Sequence, residues 1–202
     1  MSVKAIHHAK GHANDIVYTP KPLALRAIEM ADIQPDETVL DPSRGAGVFY
    51  HNLPSCHKAY CEIMEGKDFY DWKQEVDVVI GNPPYSQWKP WLSHTLSICR
   101  KRFVYVFGAS NLTANRLKMI LDAGFGITKI HICKVAWFMT QSVIVVAEKG
   151  ATTIMTGSPI QNCDVCGKNC KRGIYGNPPN QCVKEKAVET PSSDNSVASL
   201  GC

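Results

Sequence analysis

Six stretches of the chain are apolar almost throughout, and polar, Gly-marked or Pro-marked segments separate them. They are TVLD (38–41), KAYCEI (58–63), DVVIGN (77–82), RFVYVFG (102–108), ITKIHIC (127–133) and SVIVVAE (142–148). Short β-branched runs of this kind predict strands buried on both faces of an α/β sheet. Apolar positions recur at helical spacing over Pro20–Ala31, Trp88–Cys99 and Thr113–Ala123. Thr19 is placed to cap the first helix with Pro20 in its opening turn, and Gly124 ends the third. This alternation predicts an open, mostly parallel sheet with helices on both faces. Only KVAWFMTQ separates the last two strands, too short for a crossover helix, so they should pair as an antiparallel hairpin. In such sheets ligands bind beyond the carboxyl ends of the strands, so the loops that follow strands are where chemistry is expected.

The pattern stops near Gly150. Residues 151–162 read as a polar linker, 163–182 as a small Cys-rich segment, and 183–202, rich in Ser, Thr and charge, as a disordered tail. The 202 residues, 45% hydrophobic, suffice for one sizeable core. The opening MSVKAIHHAKGH has no apolar h-region, and no apolar run reaches the ~18 residues of a membrane span, so a cytoplasmic protein without a membrane partner is expected. Nine unevenly spaced cysteines then argue for thiols rather than a disulfide framework. Cys163, Cys166, Cys170 and Cys182 offer four thiolates at a spacing that a tetrahedral Zn2+ site can use. Cys56, Cys61, Cys99 and Cys133 are scattered and read as small hydrophobes. The formal charge of +4 permits a polyanionic partner without requiring one.

Three strand-end loops carry candidate chemistry. In LDPSRGAGVF, Gly45 and Gly47 allow a tight turn and close approach to a ligand, and a following helix start would offer free N–H donors. Glu62, about twenty residues on, is placed to accept both hydroxyls of a ribose. Asp68 and Phe69 could accept from an adenine amino group and stack on its ring. In IGNPPYSQW, Asn82 emerges from a buried strand, and two prolines set the backbone so that its amide and the Pro83 carbonyl can face one ligand. Tyr85 adds an aromatic face. Two acceptors beside a flat surface suit an exocyclic amine: they draw its nitrogen toward sp³ geometry and localise the lone pair for attack. A second GNPP, at 176–179, follows no buried strand and no glycine loop, and reads as turn chemistry.

In order along residues 13–149, NDIVYTP, DPSRGAG, CEI, KDF, NPPY and WFMTQS resemble the motifs of the S-adenosylmethionine-dependent N6-adenine DNA methyltransferases. The resemblance implies a Rossmann-like methyltransferase fold over 13–150 and S-adenosylmethionine as cofactor. It implies a cofactor pocket of Tyr18, Thr19, Asp41, Gly45, Gly47, Phe49, Glu62, Ile63, Asp68, Phe69 and Asn82. The catalytic tetrapeptide would be Asn82, Pro83, Pro84 and Tyr85, with Phe138 closing over the target. Two features depart from the family: only about twenty residues separate Glu62 from Asn82, so the usual helix and strand there are shortened or missing, and no separate target-recognition domain follows residue 150.

Charge placement favours a nucleic acid. From Val78 to Leu121 there is no acidic residue. The Arg100–Arg102 run precedes a strand and belongs at the far end of the sheet. Lys89, Arg116 and Lys134 belong on the catalytic face with Trp88, as cations for phosphates beside aromatics for an extruded base. The expectation is methylation of an exocyclic amino nitrogen, foremost adenine N6 in DNA. Cytosine N4, RNA, protein glutamine, or a silent nucleic-acid-binding module remain the alternatives, and the oligomeric state is open.

Overall fold

A computed structural model describes residues 17–134 and 141–155. Among the described residues nine helices and strands follow one another: α1 (Lys21–Ala31), β1 (Thr38–Asp41), β2 (His57–Tyr60), β3 (Val76–Gly81), α2 (Trp88–Ile98), β4 (Cys99–Gly108), α3 (Ala114–Asp122), β5 (Phe125–Cys133) and β6 (Ser142–Lys149). The six strands form one sheet in the order β2-β1-β3-β4-β6-β5. β1 pairs in parallel with β2 and β3, and β3 with β4, while β6 enters between β4 and β5, antiparallel to both. The predicted hairpin is therefore present, and the fold is an α/β sheet of mostly parallel strands.

Alternation along the strands sorts the core into two layers. Val39, Val78, Ile80, Val104, Val106, Ile144 and Val146 face α1, whose Ala24, Ala27 and Ala31 let the helix come close to the sheet. Leu40, Val79, Phe103, Tyr105, Phe107, Val143 and Val145 face the other way, against Trp88, Trp91 and Leu92 of α2 and Leu117 and Ile120 of α3. β3 is buried at every position, as expected of a central strand covered on both faces. α1 begins at Lys21, with Pro20 rather than Thr19 at its cap: the Pro20 carbonyl accepts from the Leu23 and Ala24 N–H groups at 3.0 Å. The Thr113 hydroxyl does cap α3, accepting from the Arg116 N–H at 3.4 Å.

One connection is shorter than the sequence led us to expect, and a second is as short as its twenty residues implied. No α-helix follows the glycine loop. A single 3-10 turn, Tyr50–Asn52, replaces it, because Leu53-Pro54 cannot extend a helix. Between β2 and β3 lie only two more such turns, Ile63–Glu65 and Phe69–Asp71, so β2 is an edge strand. Residues 151–155, read from the sequence as the start of a linker, turn back along β5. The Ile154 N–H donates to the Ile127 carbonyl at 2.9 Å, and a Cβ on Gly126 would stand 2.1 Å from the Ala151 carbonyl oxygen. No described helix is long and apolar enough to cross a membrane.

At the amino ends of the strands the charges are satisfied. Glu37, 2% exposed, receives Arg102 at 2.5 and 2.9 Å and Lys101 at 3.2 Å. Asp77 accepts from the Thr38 N–H at 3.0 Å and pairs with Arg100 at 3.0 Å. The basic run is thus committed to structure, away from the carboxyl ends. Burial penalises the Glu37 charge, but hydrogen bonds from Arg102, the Gln34 amide and Lys101 outweigh it and hold its carboxyl below the usual range.

Removing Arg102 would strand that carboxylate. Arg102→Ala should cost about 3–5 kcal/mol of stability at neutral pH. A depressed acid stabilises above its unfolded pKa of 4.5 and loses that contribution as pH falls through the lower folded value. The difference between variant and parent in thermal denaturation should therefore shrink in acid, and a difference independent of pH would contradict the pairing.

Candidate active site

The carboxyl ends of β1, β2 and β3 bring the predicted loops together. Gly81 sets the spacing: a Cβ there would stand 3.3 Å from Pro42 Cδ and 3.4 Å from Asp41 Oδ1. Glycine is what allows the ends of β1 and β3 to close on one another. Beyond β1, the loop turns through Gly45 (φ +50°) and Gly47 (φ +82°), and a Cβ at Gly47 would meet the His51 ring at 2.5 Å. Backbone bonds hold this loop: Arg44 N–H to the Cys61 carbonyl at 2.9 Å and Gly47 N–H to the Arg44 carbonyl at 2.8 Å. The Tyr18 ring lies against Gly45, 3.7 Å from where a Cβ would be.

Glu62 follows β2 and faces the same loop. One carboxylate oxygen accepts from the Gly45 N–H at 2.6 Å and the other from the Met64 N–H at 3.1 Å. Its neighbours Ile63 and Met64 are 47% and 86% exposed, an apolar rim beside the carboxylate. Arg44 pairs with Glu65 and lies 4.3 Å over the Tyr60 ring.

Asn82 is gripped from two sides. Its Nδ2 donates to the Val17 carbonyl at 3.2 Å, and its backbone carbonyl accepts from the Ser43 hydroxyl at 3.0 Å. Because a backbone carbonyl can only accept, the amide nitrogen must face Val17, and Oδ1 turns the other way. That oxygen is buried and has no hydrogen-bond partner among the described residues. Asp41 shares this condition. Its Oδ1 accepts from the Ser43 N–H at 3.3 Å, while Oδ2 is buried without a partner. Two unfilled acceptors at adjoining strand ends are costly in an empty fold and mark a place built for a donor or a cation. Tyr85, three residues further on, is half-buried against the α2-side core, and burial raises its pKa against a backbone hydrogen bond from Gly108.

Several expected contacts are placed elsewhere. Trp88 is 3% exposed and packs on Phe107 at 4.6 Å, so it belongs to the core rather than to a substrate surface. Arg116 donates to the Asn111 carbonyl at 2.6 Å and Oδ1 at 2.8 Å and covers Trp88, which ties it to its own loop. Phe69 is 2% exposed, enclosed by Trp91 at 4.4 Å and His94 at 4.6 Å, and presents no free ring face for adenine. Asp68 accepts from the Tyr70 N–H at 2.9 Å and keeps a local turn. Phe49, 2% exposed, lies in the α1-side core below the loop. Thr19 and Pro84 are half-buried and Pro83 is buried. Lys89, in the first turn of α2, and Lys134, just past β5, are exposed at the carboxyl edge. Phe138 and the cysteines at 163, 166, 170 and 182 lie outside the described residues, among which no group of three or more His, Cys, Asp or Glu could hold a metal. Cys61 and Cys99 are buried, and burial pushes both thiols up to about 12. Val17 and Ser43 went unnoticed in the sequence because each acts on Asn82 across a long stretch of chain and carries no spacing signal.

No family model matches the chain, and no curated protein sequence does. Solved structures do. The magnesium protoporphyrin IX methyltransferase of Synechocystis PCC 6803, with bound SAH, matches with a TM-score of 0.51 and 14% identity, over 64% of this chain and 82% of that one. A modification subunit of a candidate type I restriction enzyme from Vibrio vulnificus YJ016 matches with a TM-score of 0.51 and 16% identity, over 75% and 48%. The 23S rRNA methyltransferase ErmE matches with a TM-score of 0.50 and 15% identity, over 69% and 72%. The chain spans about half the length of the Vibrio subunit and of TrmN from Thermus thermophilus, 48% in each case. These likenesses define the class of fold: it is the Rossmann-like fold of methyltransferases.

Burial pushes the Asp41 carboxyl up to about 7, with the Ser43 amide opposing and the Glu62 charge adding to the rise. A raised acid holds its proton more tightly folded than unfolded. The unliganded protein should therefore lose stability as pH climbs from the unfolded value of 3.8 to about 7. Asp41→Asn cannot ionise, so its melting temperature relative to the parent should rise across that window. A constant difference would mean that Asp41 is not the buried titrating group.

Proposed function

We propose that the chain is an S-adenosylmethionine-dependent methyltransferase that modifies an exocyclic amino nitrogen, adenine N6 in DNA being the preferred target. The observation that carries this is the buried, unpartnered Oδ1 of Asn82, fixed as an acceptor by the Val17 carbonyl. The N–H of an amine fills such an acceptor, and an anion cannot. The fold supports the reading, and structural neighbours that include a restriction-enzyme modification subunit and a 23S rRNA methyltransferase favour a nucleic acid. Exposed Lys89 and Lys134 at the same edge offer cations for a phosphate backbone.

The residues present fit the cofactor. Glu62 is a carboxylate beside a glycine loop with left-handed backbone, next to exposed Ile63, and Asp41 Oδ2 is an unfilled acceptor for a cation. When bound, S-adenosylmethionine supplies an electrophilic methyl group, whose S–C bond breaks as the N–C bond forms, the electron pair staying on sulfur. Asn82 Oδ1 and the Pro83 carbonyl would accept the two amino hydrogens, drawing the nitrogen toward sp³ geometry and freeing its lone pair. The surplus proton would then leave through the Asn82 hydrogen bond to water. Tyr85 would lie against the ring of the target. No strong base is required, because the amine loses its proton after attack.

Transfer of labelled methyl groups to DNA, RNA and protein tests the reading directly, and adenine N6 in DNA should carry the label. Asn82→Ala should lower kcat by about two orders of magnitude with cofactor affinity nearly unchanged, since the interaction strengthens in the transition state. Near-normal turnover would remove Asn82 from the chemistry. Titration calorimetry checks the other half of the site: Glu62→Ala should weaken cofactor binding by ~1.5–3 kcal/mol through loss of a charged acceptor. Unchanged affinity would place the ribose elsewhere.

A further inference from the structure

We infer that Ser43 is a positioning residue for methyl transfer: its hydroxyl locks the Asn82–Pro83 peptide to the glycine loop, so that the two amine acceptors keep a set direction relative to the cofactor. The inference rests on the reading of Asn82 as the amine-binding residue. Ser43 Oγ donates to the Asn82 carbonyl at 3.0 Å, thirty-nine residues away in the chain, and joins the end of β3 to the turn after β1. Pro83 has a set φ and, because Pro84 follows it, a ψ confined to the extended region, so the plane of the peptide before it decides where the Pro83 carbonyl points. The same peptide carries the Asn82 backbone from which the amide side chain extends. Val17 settles which atom of that amide faces inward, and Ser43 settles where the residue stands.

The hydroxyl is not what holds the loop together. The Ser43 N–H reaches Asp41 Oδ1 at 3.3 Å, the Arg44 N–H reaches the Cys61 carbonyl at 2.9 Å, and the Gly45 N–H reaches Glu62 at 2.6 Å. All three survive the loss of a side-chain oxygen. Truncation at Ser43 should therefore separate two quantities that loop damage would move together. The carbonyl of Asn82 is left with one hydrogen bond fewer, while the surfaces that grip the cofactor keep their partners.

The experiment compares the full-length parent with Ser43→Ala and Ser43→Thr, measuring methyl transfer to DNA, S-adenosylmethionine binding by calorimetry, and thermal melting. Ser43→Ala should lower kcat roughly five- to tenfold, as expected for one lost hydrogen bond that matters in the transition state. Its cofactor Kd should stay within about twofold of the parent, with melting unchanged, because the backbone ties remain. Ser43→Thr, which keeps the hydroxyl, should restore most of kcat. Unchanged kcat in Ser43→Ala, an equal loss of cofactor affinity and kcat, or a Thr variant as slow as the Ala variant would each overturn the inference. A parent that methylates none of the substrates would instead remove the amino-methyltransferase reading, and this inference with it. An active parent with an unaffected Ser43→Ala variant would remove only the role of Ser43.

Discussion

The close approach of the first and third strands at Gly81 is the constraint on which the site depends. β3 is buried along its whole length between β1 and β4, so its position is set by packing on both faces. Where it ends, a Cβ on Gly81 would already press on Pro42 at 3.3 Å and touch Asp41 at 3.4 Å. That closeness lets a serine in one loop reach a carbonyl in the other. It also places two acceptors, Asp41 Oδ2 and Asn82 Oδ1, at adjoining strand ends with nothing described to satisfy them. A side chain at 81 would have to displace Pro42 or Asp41, so glycine keeps the two strand ends at their closest approach.

The two ends of the sheet treat charge in opposite ways. At the amino ends, Glu37 and Asp77 are surrounded by Arg100, Lys101, Arg102 and backbone donors, and both carboxyls sit below their usual range despite burial. At the carboxyl ends, Asp41 lies deeper still and has backbone amides but no paired cation to offset its desolvation, so its carboxyl rises instead. The opposite shifts follow from that difference in burial and pairing: the amino end is stabilised by its ion pairs, whereas the charged form of Asp41 is disfavoured in the empty fold.

Most of the scaffold was legible because its signals are local. Apolar runs without polar alternation located every strand, and the eight residues between β5 and β6 implied their antiparallel pairing. The glycine loop, Glu62 and Asn82 stood out because each sits at the end of such a run. What stayed hidden was the sense of individual side chains. Trp88, Arg116 and Phe69 have the right chemistry on the right segments, but the helix phase of α2 turns Trp88 inward, Trp91 and His94 enclose Phe69, and Asn111 ties Arg116 to its own loop. The helix expected after the glycines failed for a local reason that was in view, the proline at 54. Ser43 and Val17 could not be found, since what makes them matter is contact across 39 and 65 positions.

The shortened connections around β2 change what the cofactor side can be. With no strand beyond it, β2 is an edge, and its exposed His57 and Lys58 make it a poor template for another strand. The side chains beside it brace one another. Lys67 donates to the Tyr60 hydroxyl at 2.7 Å, that hydroxyl donates to Glu65 at 3.0 Å, and Tyr50 packs edge-on to Tyr60 at 4.9 Å. These contacts hold the Glu62–Lys67 turn where a longer chain would use a helix and another strand. The turn keeps Glu62 against Gly45 and leaves Ile63 and Met64 uncovered. On this fold, then, the acid beside the glycine loop is positioned by a turn of six residues and a cluster of aromatic and charged side chains. Its rigidity depends on those exposed contacts rather than on burial, which makes the Glu62 side of the strand-end cleft the softer side and the Asn82 side, seated on β3, the firmer one.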